Sequence, residues 1–173
     1  MAETTIPSPG KRGLIITLTD AAGTPLTFVV NHGEATPTWT DPVHDEVWAK
    51  EASGDYLPTC RKGDQTAPAE IDLSGCRMFH AGDQPAETSA IDIVMNKGFF
   101  ASGWTSSEVG SEFKCFQVAI RVPQNVAGTT YTTWTWTDCH TKSGSKISAR
   151  PGGLFADSWM IVAPGAATVA DTP

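Results

Sequence analysis

Apolar and polar residues alternate along most of this chain, and a period of two is the pattern of β-strands that bury one face. The clearest case is residues 13–30, GLIITLTDAAGTPLTFVV, where two β-branched runs flank a turn-rich segment and predict a β-hairpin. Further runs with strand character occupy residues 36–40, 69–79, 112–123, 130–138, 142–150 and 157–162. The fold class that we predict is mainly β, an antiparallel β-sandwich or squashed barrel of about eight or nine strands.

One helical signal interrupts this β pattern, between residues 88 and 98. Ser89 is a candidate N-cap, and Gly98 stands where a left-handed C-cap residue would lie. A helix of about two or three turns is too short to be stable alone in water, so it must dock on the sheet. We predict a short flanking helix at about residues 89–97. The side chains expected to dock it are Ile91, Val94, Met95 and Trp104.

Residues 41–58, DPVHDEVWAKEASGDYLP, are acidic and lack a clear period, and we predict a long loop there, with a helical turn at residues 45–51 as an option. Loops longer than about 12 residues are uncommon and usually functional or mobile. Two interpretations stay open: a solvated excursion, or an arm that orders against a partner and buries Trp48. Under the second interpretation the contacts would come from Asp45, Glu46, Val47, Trp48 and Tyr56.

The length of 173 residues fits one domain with a substantial core. A hydrophobic content of 40% and a charged content of 18% are typical of a globular chain. We place this single β-sandwich domain at residues 13–162. Residues 1–12 are predicted to form a flexible N-terminal arm, and the Ala-, Pro- and Gly-rich residues 163–173 a C-terminal arm.

Composition argues against several classes of function. No apolar run approaches the roughly 20 residues that cross a bilayer, and the N-terminus has no apolar signal-peptide core. We therefore expect no membrane partner, and synthesis in the cytoplasm. The formal net charge of −7, without a dense Lys/Arg run, argues against tight binding of nucleic acid. An acidic surface can instead keep DNA from sticking, because it repels the phosphate backbone.

The residue types of catalytic and metal sites occur without the spacing that such sites need. Cys60, Cys76, Cys115 and Cys139 form no CxxC pair, and we expect buried thiols rather than disulfides. The histidines lack HxH or HxxxH spacing, and no GxSxG, HExxH, P-loop or GxGxxG motif is present. We therefore predict no enzyme, no metal site and no cofactor.

Two residue pairs allow both a structural and a functional interpretation. Glu70 and Asp72 share one face of a strand, with no basic partner nearby in sequence, and form either a solvated polar face or an acidic functional surface. Trp134 and Trp136, at i and i+2, would be a sugar-stacking platform if exposed and core or interface residues if buried.

The order of the elements from Gly13 to about residue 162 resembles that of tail tube proteins, or major tail proteins, of long-tailed (siphovirus) bacteriophages. The resemblance rests on the opening hairpin, the long polar loop and Gly63-Asp64 before the alternating strand at residues 70–73. The helix then ends in Gly98, with Trp104 beyond it, and two strands lead to a glycine-containing hairpin near the C-terminus.

This resemblance implies a structural virion protein, located in the tail, that self-assembles into hexameric rings stacked as a tube for genome delivery. One sheet from each subunit would join its neighbours in a barrel around the channel, with Glu70 and Asp72 on a channel-facing acidic strand. Residues 41–58 and the two terminal arms would reach between rings. The implied partners are further copies of the chain, the tail terminator and tail-tip proteins. Inside the channel, the implied partners are the tape-measure protein and the genome DNA. The DNA would be in contact with the channel without sequence-specific binding.

Two other classes of protein share these features. A head-decoration or tail-terminator protein of a phage would have similar size and β content but would form closed trimers or single rings. A carbohydrate-binding β-sandwich module would be monomeric and would keep Trp134 or Trp136 exposed beside polar partners.

Overall fold

The structure of this chain is a computed structural model that describes residues 13–30, 35–50, 53, 56–78, 90–108, 113–124, 130–151 and 153–172. Strands make up 54% of the residues and helices 8%, and the sheets are antiparallel. The predicted fold class, mainly β and sandwich-like, is therefore confirmed.

The described residues form the following elements. The strands are β1 (Leu14–Thr19), β2 (Pro25–Val30), β3 (Thr38–Trp39), β4 (Val43–Lys50), β5 (Tyr56–Ala67), β6 (Ala69–Asp72), β7 (Arg77–Met78), β8 (Phe116–Pro123), β9 (Tyr131–Thr141), β10 (Lys146–Arg150), β11 (Gly153–Ser158), β12 (Met160–Ala163) and β13 (Thr168–Thr172). The helices are α1 (Ala90–Met95) and α2 (Gly98–Ser102). The hairpin predicted for residues 13–30 is present as β1 and β2.

Strand β9 organises the fold because two sheets share it. Its first part pairs with β8 and β13, and this front sheet has the order β2-β1-β8-β9-β13. Its last two residues pair with β12, and this rear sheet has the order β9-β12-β6-β3. The β8–β9 register shifts between Phe116 and Val118, close to Asp138, whose backbone φ is +55°. Such a bulge bends the strand, which allows the two sheets to fold over one core.

The core consists of the inward-facing side chains of both sheets. Trp39, on the rear sheet, packs on two residues of the front sheet, with ring centroids 5.3 Å from Trp134 and 5.9 Å from Trp136. Burial alternates along the strands as the sequence pattern predicts, and each buried aliphatic side chain contributes about 1.5–3 kcal/mol. Those with 0% exposure include Ile16, Leu18, Ile71, Leu73, Val118, Ile120 and Ile161.

The helical region differs from its prediction in where it ends. Helix α1 is followed by Asn96, which takes the left-handed conformation with a φ of +50°. Asparagine tolerates this conformation better than most residues, so it closes the helix two residues before the predicted position. The C-cap prediction at Gly98 was wrong, because Gly98 begins α2. The predicted N-cap, Ser89, lies outside the described residues.

The docking face of α1 is also rotated from the predicted one. Val94 and Trp104 are buried, and Ile91 packs against the core while partly exposed. Met95 is 43% exposed, so its prediction as a docking residue was wrong. The side chains of α1 that are buried instead lie at i, i+3 and i+4, which is one face of a helix. They are Ala90, Ile93 and Val94.

An aromatic cluster joins α2 to the front sheet. The ring centroid of Trp104 lies 5.0 Å from that of Phe100 and 5.6 Å from that of Phe116, the first residue of β8. The Lys114 Nζ donates hydrogen bonds to the backbone oxygens of Phe100 at 2.6 Å and Trp104 at 2.9 Å. A cation near the end of a helix satisfies carbonyl oxygens that have no partner within the helix.

Two segments predicted to be irregular are strands. Residues 41–58 contain β4 and the start of β5, which pair with each other, so the loop and its helical option were wrong. Three register shifts interrupt this pairing, which explains why the sequence shows no period there. The prediction of an arm at residues 163–173 was also wrong, since β13 pairs with β9. The predicted arm at residues 1–12 lies outside the described residues.

Asp20 ties the first hairpin to the segment after α2. It lies in the β1–β2 turn and is only 7% exposed. Its Oδ1 accepts the backbone N–H of Thr24 at 2.6 Å, and its Oδ2 accepts the backbone N–H of Thr105 at 3.2 Å. The N–H of Ala21 also donates to the backbone oxygen of Thr105, at 3.1 Å. One carboxylate therefore joins two parts of the chain that are distant in sequence.

We expect Asp20→Ala to lower the free energy of unfolding by about 1–3 kcal/mol, because it leaves two backbone donors without their acceptor. Urea denaturation of dilute protein, followed by tryptophan fluorescence, measures this change. The matched control is Asp41→Ala, at an exposed aspartate, with an expected change within about 0.5 kcal/mol. Equal losses in the two variants would contradict the role of Asp20.

Candidate functional site

The first candidate surface is the arm, which we define as β4 and β5. It continues the β3–β6 pairing, since the Thr40 N–H donates to the Glu70 backbone oxygen at 2.9 Å and Val43 then pairs with Ala67. Within the described part of the chain, β4 and β5 pair only with each other. The eight residues of β4 span roughly 26 Å at about 3.3 Å per residue. A two-stranded hairpin alone is marginally stable in water, so the arm has the character of an element that needs a partner.

The predicted contact residues all lie on this arm. Asp45, Glu46, Val47 and Trp48 belong to β4, and Tyr56 begins β5, where its Cα pairs with that of Lys50. The structure thus places the four residues of β4 and Tyr56 of β5 on one two-stranded ribbon. The side chains of these five residues lie outside the described part of the structure.

The second candidate surface is the pair of outer edges of the front sheet. Strand β2, PLTFVV, has no charged residue, and no strand of the described chain pairs with its outer side. Strand β13 forms the opposite edge, and its Val169 is 55% exposed. Each neighbouring pair in this sheet is antiparallel, so β2 and β13 run in the same direction. Uncharged open edges are templates for pairing with another chain, and proteins usually block them.

Strand β13 is held in place by a polar group at the end of the sheet. The Asp171 Oδ1 accepts a hydrogen bond from the Thr132 hydroxyl at 2.6 Å and another from the Gln124 side-chain amide at 3.1 Å. Gln124 also contacts the Thr132 hydroxyl. Thr132 is only 7% exposed, so this network satisfies a buried hydroxyl while it fixes the edge strand.

The third candidate surface is the outward side of the front sheet, which we call the threonine face. Among the described strands its one charged residue is Arg121, whose guanidinium lies 4.4 Å from the ring centroid of Tyr131. The Thr17 and Thr27 hydroxyls are 3.2 Å apart across β1 and β2. The face is therefore polar and almost uncharged. By strand register, its members with described side chains are Ile15, Thr17, Thr19, Pro25, Thr27, Gln117, Ala119, Arg121, Pro123, Tyr131, Thr133, Thr135, Thr168 and Ala170.

The predicted acidic strand is β6, on the rear sheet. Glu70 forms an ion pair with Lys142 at 2.8 Å, and the side chains are 41% and 55% exposed, so the pair contributes about 0–1 kcal/mol. The Asp72 Oδ1 accepts the Ser74 N–H at 2.8 Å. No basic residue lies near Glu70 in the sequence, and its partner Lys142 follows β9, 72 residues further along the chain. Only tertiary structure reveals such a partner.

The tryptophan pair of β9 does not form a free stacking platform. Trp136 is 1% exposed, and Trp134 is partly buried against Trp39. A sugar ring needs an exposed aromatic face, and Trp136 cannot supply one. Trp136 is therefore excluded as the exposed ring of the carbohydrate-binding alternative, and Trp134 is only partly exposed.

The described cysteines are buried. Cys76, Cys115 and Cys139 are not in disulfide bonds, and the side chain of Cys60 lies outside the described part. Desolvation raises the pKa of Cys139 from its ordinary value of 9.0 to about 12. The reactive form of a cysteine is the thiolate, so Cys139 is not an activated nucleophile at neutral pH.

No cluster of three or more His, Cys, Asp or Glu residues suited to a metal ion occurs among the described residues. Neither described helix is long and apolar enough to span a bilayer. The chain matches no protein-family model, and no curated protein or solved structure matches it. Its function is therefore inferred from the arm, the two sheet edges and the threonine face.

We expect the stability of the protein to fall as the pH rises from 9 towards about 12, in part because of Cys139. The folded thiol stays neutral in this range while the unfolded thiol ionises, so the stabilisation is complete below pH 9 and is lost above it. Denaturation curves at pH 8, 9 and 10 measure the effect. Cys139→Ala should flatten the slope between pH 9 and 10, and an unchanged slope would contradict this assignment.

Proposed function

We propose that this chain is a structural virion protein, the tail tube subunit of a long-tailed bacteriophage, which assembles as hexameric rings stacked around a channel for genome delivery. The observation that carries this proposal is the front sheet, which within the described part of the chain is open at both edges and has an almost uncharged polar outer face. A sheet with two open edges can be continued from one copy of the chain to the next, and closure of a ring removes the edges altogether.

The direction of the edge strands fits a head-to-tail ring. Because β2 and β13 run the same way, copies related by rotation about an axis along the strands would place β13 of one copy beside β2 of the next in parallel. Neither edge strand presents a lysine or an internal proline against this pairing. The resulting barrel would have the threonine face on one side and the helices and core on the other.

The threonine face supplies the surface that such a channel needs. Apart from Arg121, whose guanidinium packs on Tyr131, the face presents hydroxyl and methyl groups, which offer no positive field that would hold phosphates, and the net charge of −7 repels DNA at longer range. We propose this face, rather than Glu70 and Asp72, as the channel lining, because β6 belongs to the rear sheet. The tape-measure protein and then DNA would occupy the channel, and tail terminator and tail-tip proteins would close its ends.

The arm supplies the contact between rings in this proposal. It extends roughly 26 Å along β4, and a two-stranded hairpin of this kind is only marginally stable without support.

Head-decoration and tail-terminator proteins are the second candidates, and they differ in the product of assembly, which is a closed trimer or a single ring. Open-ended growth separates the tail tube from both.

The test is negative-stain electron microscopy of the concentrated protein, with size-exclusion chromatography of dilute protein. We expect hollow tubes with a regular axial repeat. Closed trimers or lone rings would contradict the tail tube and favour the second candidates. A persistent monomer that is also not incorporated into tubes seeded with a tail-tip complex would contradict assembly altogether.

We expect a variant in which Asn-Gly replaces residues 44–66 to fold as a monomer or ring but to form no tubes. Val43 and Ala67 are directly paired, and a two-residue turn joins paired strand ends without strain. Circular dichroism and a thermal unfolding scan check the fold, and microscopy checks assembly. Tubes of normal length from this variant would exclude the arm from ring stacking.

A pair of charge variants tests which surface lines the channel. We expect tubes of Thr133→Lys with Thr135→Lys, assembled beside short duplex DNA, to protect that DNA from DNase at low salt and release it as salt rises. Glu70→Lys with Asp72→Lys adds positive charge on the rear sheet and should bind DNA in a form that DNase still cuts. The reverse result would place the acidic strand of β6 in the channel.

A further inference from the structure

We propose that a cleft beside α1 receives the acidic part of the arm, within residues 43–58, of a second copy of this chain, an inference that rests on the proposed tail tube function and names the acceptor site for the arm. The cleft lies between α1 and the turn after β9, and its volume is about 330 Å³. That is at the low end of the range of binding pockets, large enough for one or two side chains. It suits a projecting hairpin rather than a domain.

The walls of the cleft are apolar and partly uncovered. Ile93, Val94 and Phe100 form its floor, while Met95 and Phe113 stand at its rim, 43% and 50% exposed. Large apolar side chains that are half exposed around a concavity mark a contact surface more often than a solvated one. Every one of them lies outside the front-sheet edges, so the cleft is a separate surface.

The aromatic rim is preorganised. The Phe113 ring stacks on His140, with centroids 4.7 Å apart and planes inclined by 21°. Burial lowers the pKa of His140 below its ordinary value of 6.5, so the imidazole is neutral at pH 7. The two rings form a flat uncharged wall on which an incoming aromatic or aliphatic side chain can pack. Because the rings already hold each other in place, little entropy is lost in ordering them on binding.

The charge of the cleft is opposite to that of the chain. Lys114 and Lys142 line it, and no carboxylate is among its described lining residues, although the whole chain carries −7. Lys114 is bonded only to neutral carbonyl oxygens in its described contacts, and the Glu70 that pairs with Lys142 lies outside the lining. A local positive field on an acidic protein attracts an acidic partner.

The part of the arm with the complementary composition lies within residues 43–58, which hold four carboxylates against Lys50, whereas the rest of β5 carries Arg61 and Lys62. Strand β4 carries Asp45 and Glu46 beside Val47 and Trp48, and Glu51 follows it in the sequence. Acidic residues beside a tryptophan match a basic rim around an apolar cleft. A hairpin that is marginal alone gains support by binding there, and both surfaces occur once on every copy, which gives an unlimited series of contacts.

Photo-cross-linking of the full-length chain tests this contact. The variant Phe113→p-benzoylphenylalanine places the reactive group at the rim of the cleft, and equal parts of ¹⁵N-labelled and unlabelled protein are mixed before assembly and irradiation. We expect cross-links to peptides from residues 43–58, with mixed isotopes in about half of the products, as random pairing between copies requires. Phe155→p-benzoylphenylalanine, on β11 and outside the cleft, is the matched control and should not reach these peptides.

The outcomes separate this inference from the tail tube proposal. Cross-links from Phe113 to other segments in normal tubes would overturn the inference and leave the proposed function intact. Mixed-isotope cross-links to the arm in closed rings would keep the inference and overturn the tube. Cross-links within single copies only, or no cross-link between copies, would overturn the inference in either case.

A second measurement isolates the charge. We expect Lys142→Ala to raise the critical concentration for assembly about three- to tenfold at low salt, since it removes a cation from the rim and leaves Glu70 unpaired beside it. The difference from wild type should shrink as salt rises, which a purely structural defect would not do. The control is Lys146→Ala, at an exposed lysine on β10 that does not line the cleft. Equal effects of the two variants would overturn the electrostatic part of the inference.

Discussion

The fold depends on one strand that satisfies its backbone hydrogen bonds in two sheets at once. Along one side β9 pairs with β8, and along the other it pairs first with β13 and then with β12. A strand shared in this way has to bend, and the bulge near Asp138 provides the bend, with the Ser107 hydroxyl donating to its carboxylate at 2.7 Å. The rear sheet thereby folds over the front sheet and brings Trp39 onto Trp134 and Trp136.

The same requirement for backbone partners draws attention to the margins of the described structure. Inside the sandwich, the backbone hydrogen-bonding groups of the strands find partners in neighbouring strands. The Asp20 carboxylate accepts backbone N–H groups of the first turn and of the segment after α2. At the margins, no described strand pairs with the outer side of β2 or of β13, and the two strands of the arm pair only with each other. Strand β2 has no charged residue and β13 has no lysine or proline, so neither sheet edge carries the residues that usually block pairing with another chain. In the proposed assembly, further copies would satisfy the two sheet edges by the addition of strands.

Charge is distributed to match these surfaces. Carboxylates dominate the whole chain, yet the threonine face of the front sheet has almost no charge and the cleft beside α1 is lined by lysines without carboxylates. A neutral face has little electrostatic attraction for a charged molecule that moves along it, whereas a basic cleft on an acidic protein attracts an acidic partner. The buried Cys139 is kept uncharged by a different effect, because desolvation raises the pKa of this thiol inside the core.

The sequence by itself determined the β class, the first hairpin and the alternation that buries residues such as Ile71 and Ile120, because side-chain periodicity and turn chemistry are local properties. It also located the helix, although the docking face and the cap depended on how α1 meets the sheet. Only the tertiary structure decided that the acidic segment is a ribbon, that residues after 163 complete a sheet edge, and that Lys142 meets Glu70. These features arise from pairing between residues far apart in the chain, and bulges in the arm erased the period that would have revealed its strands.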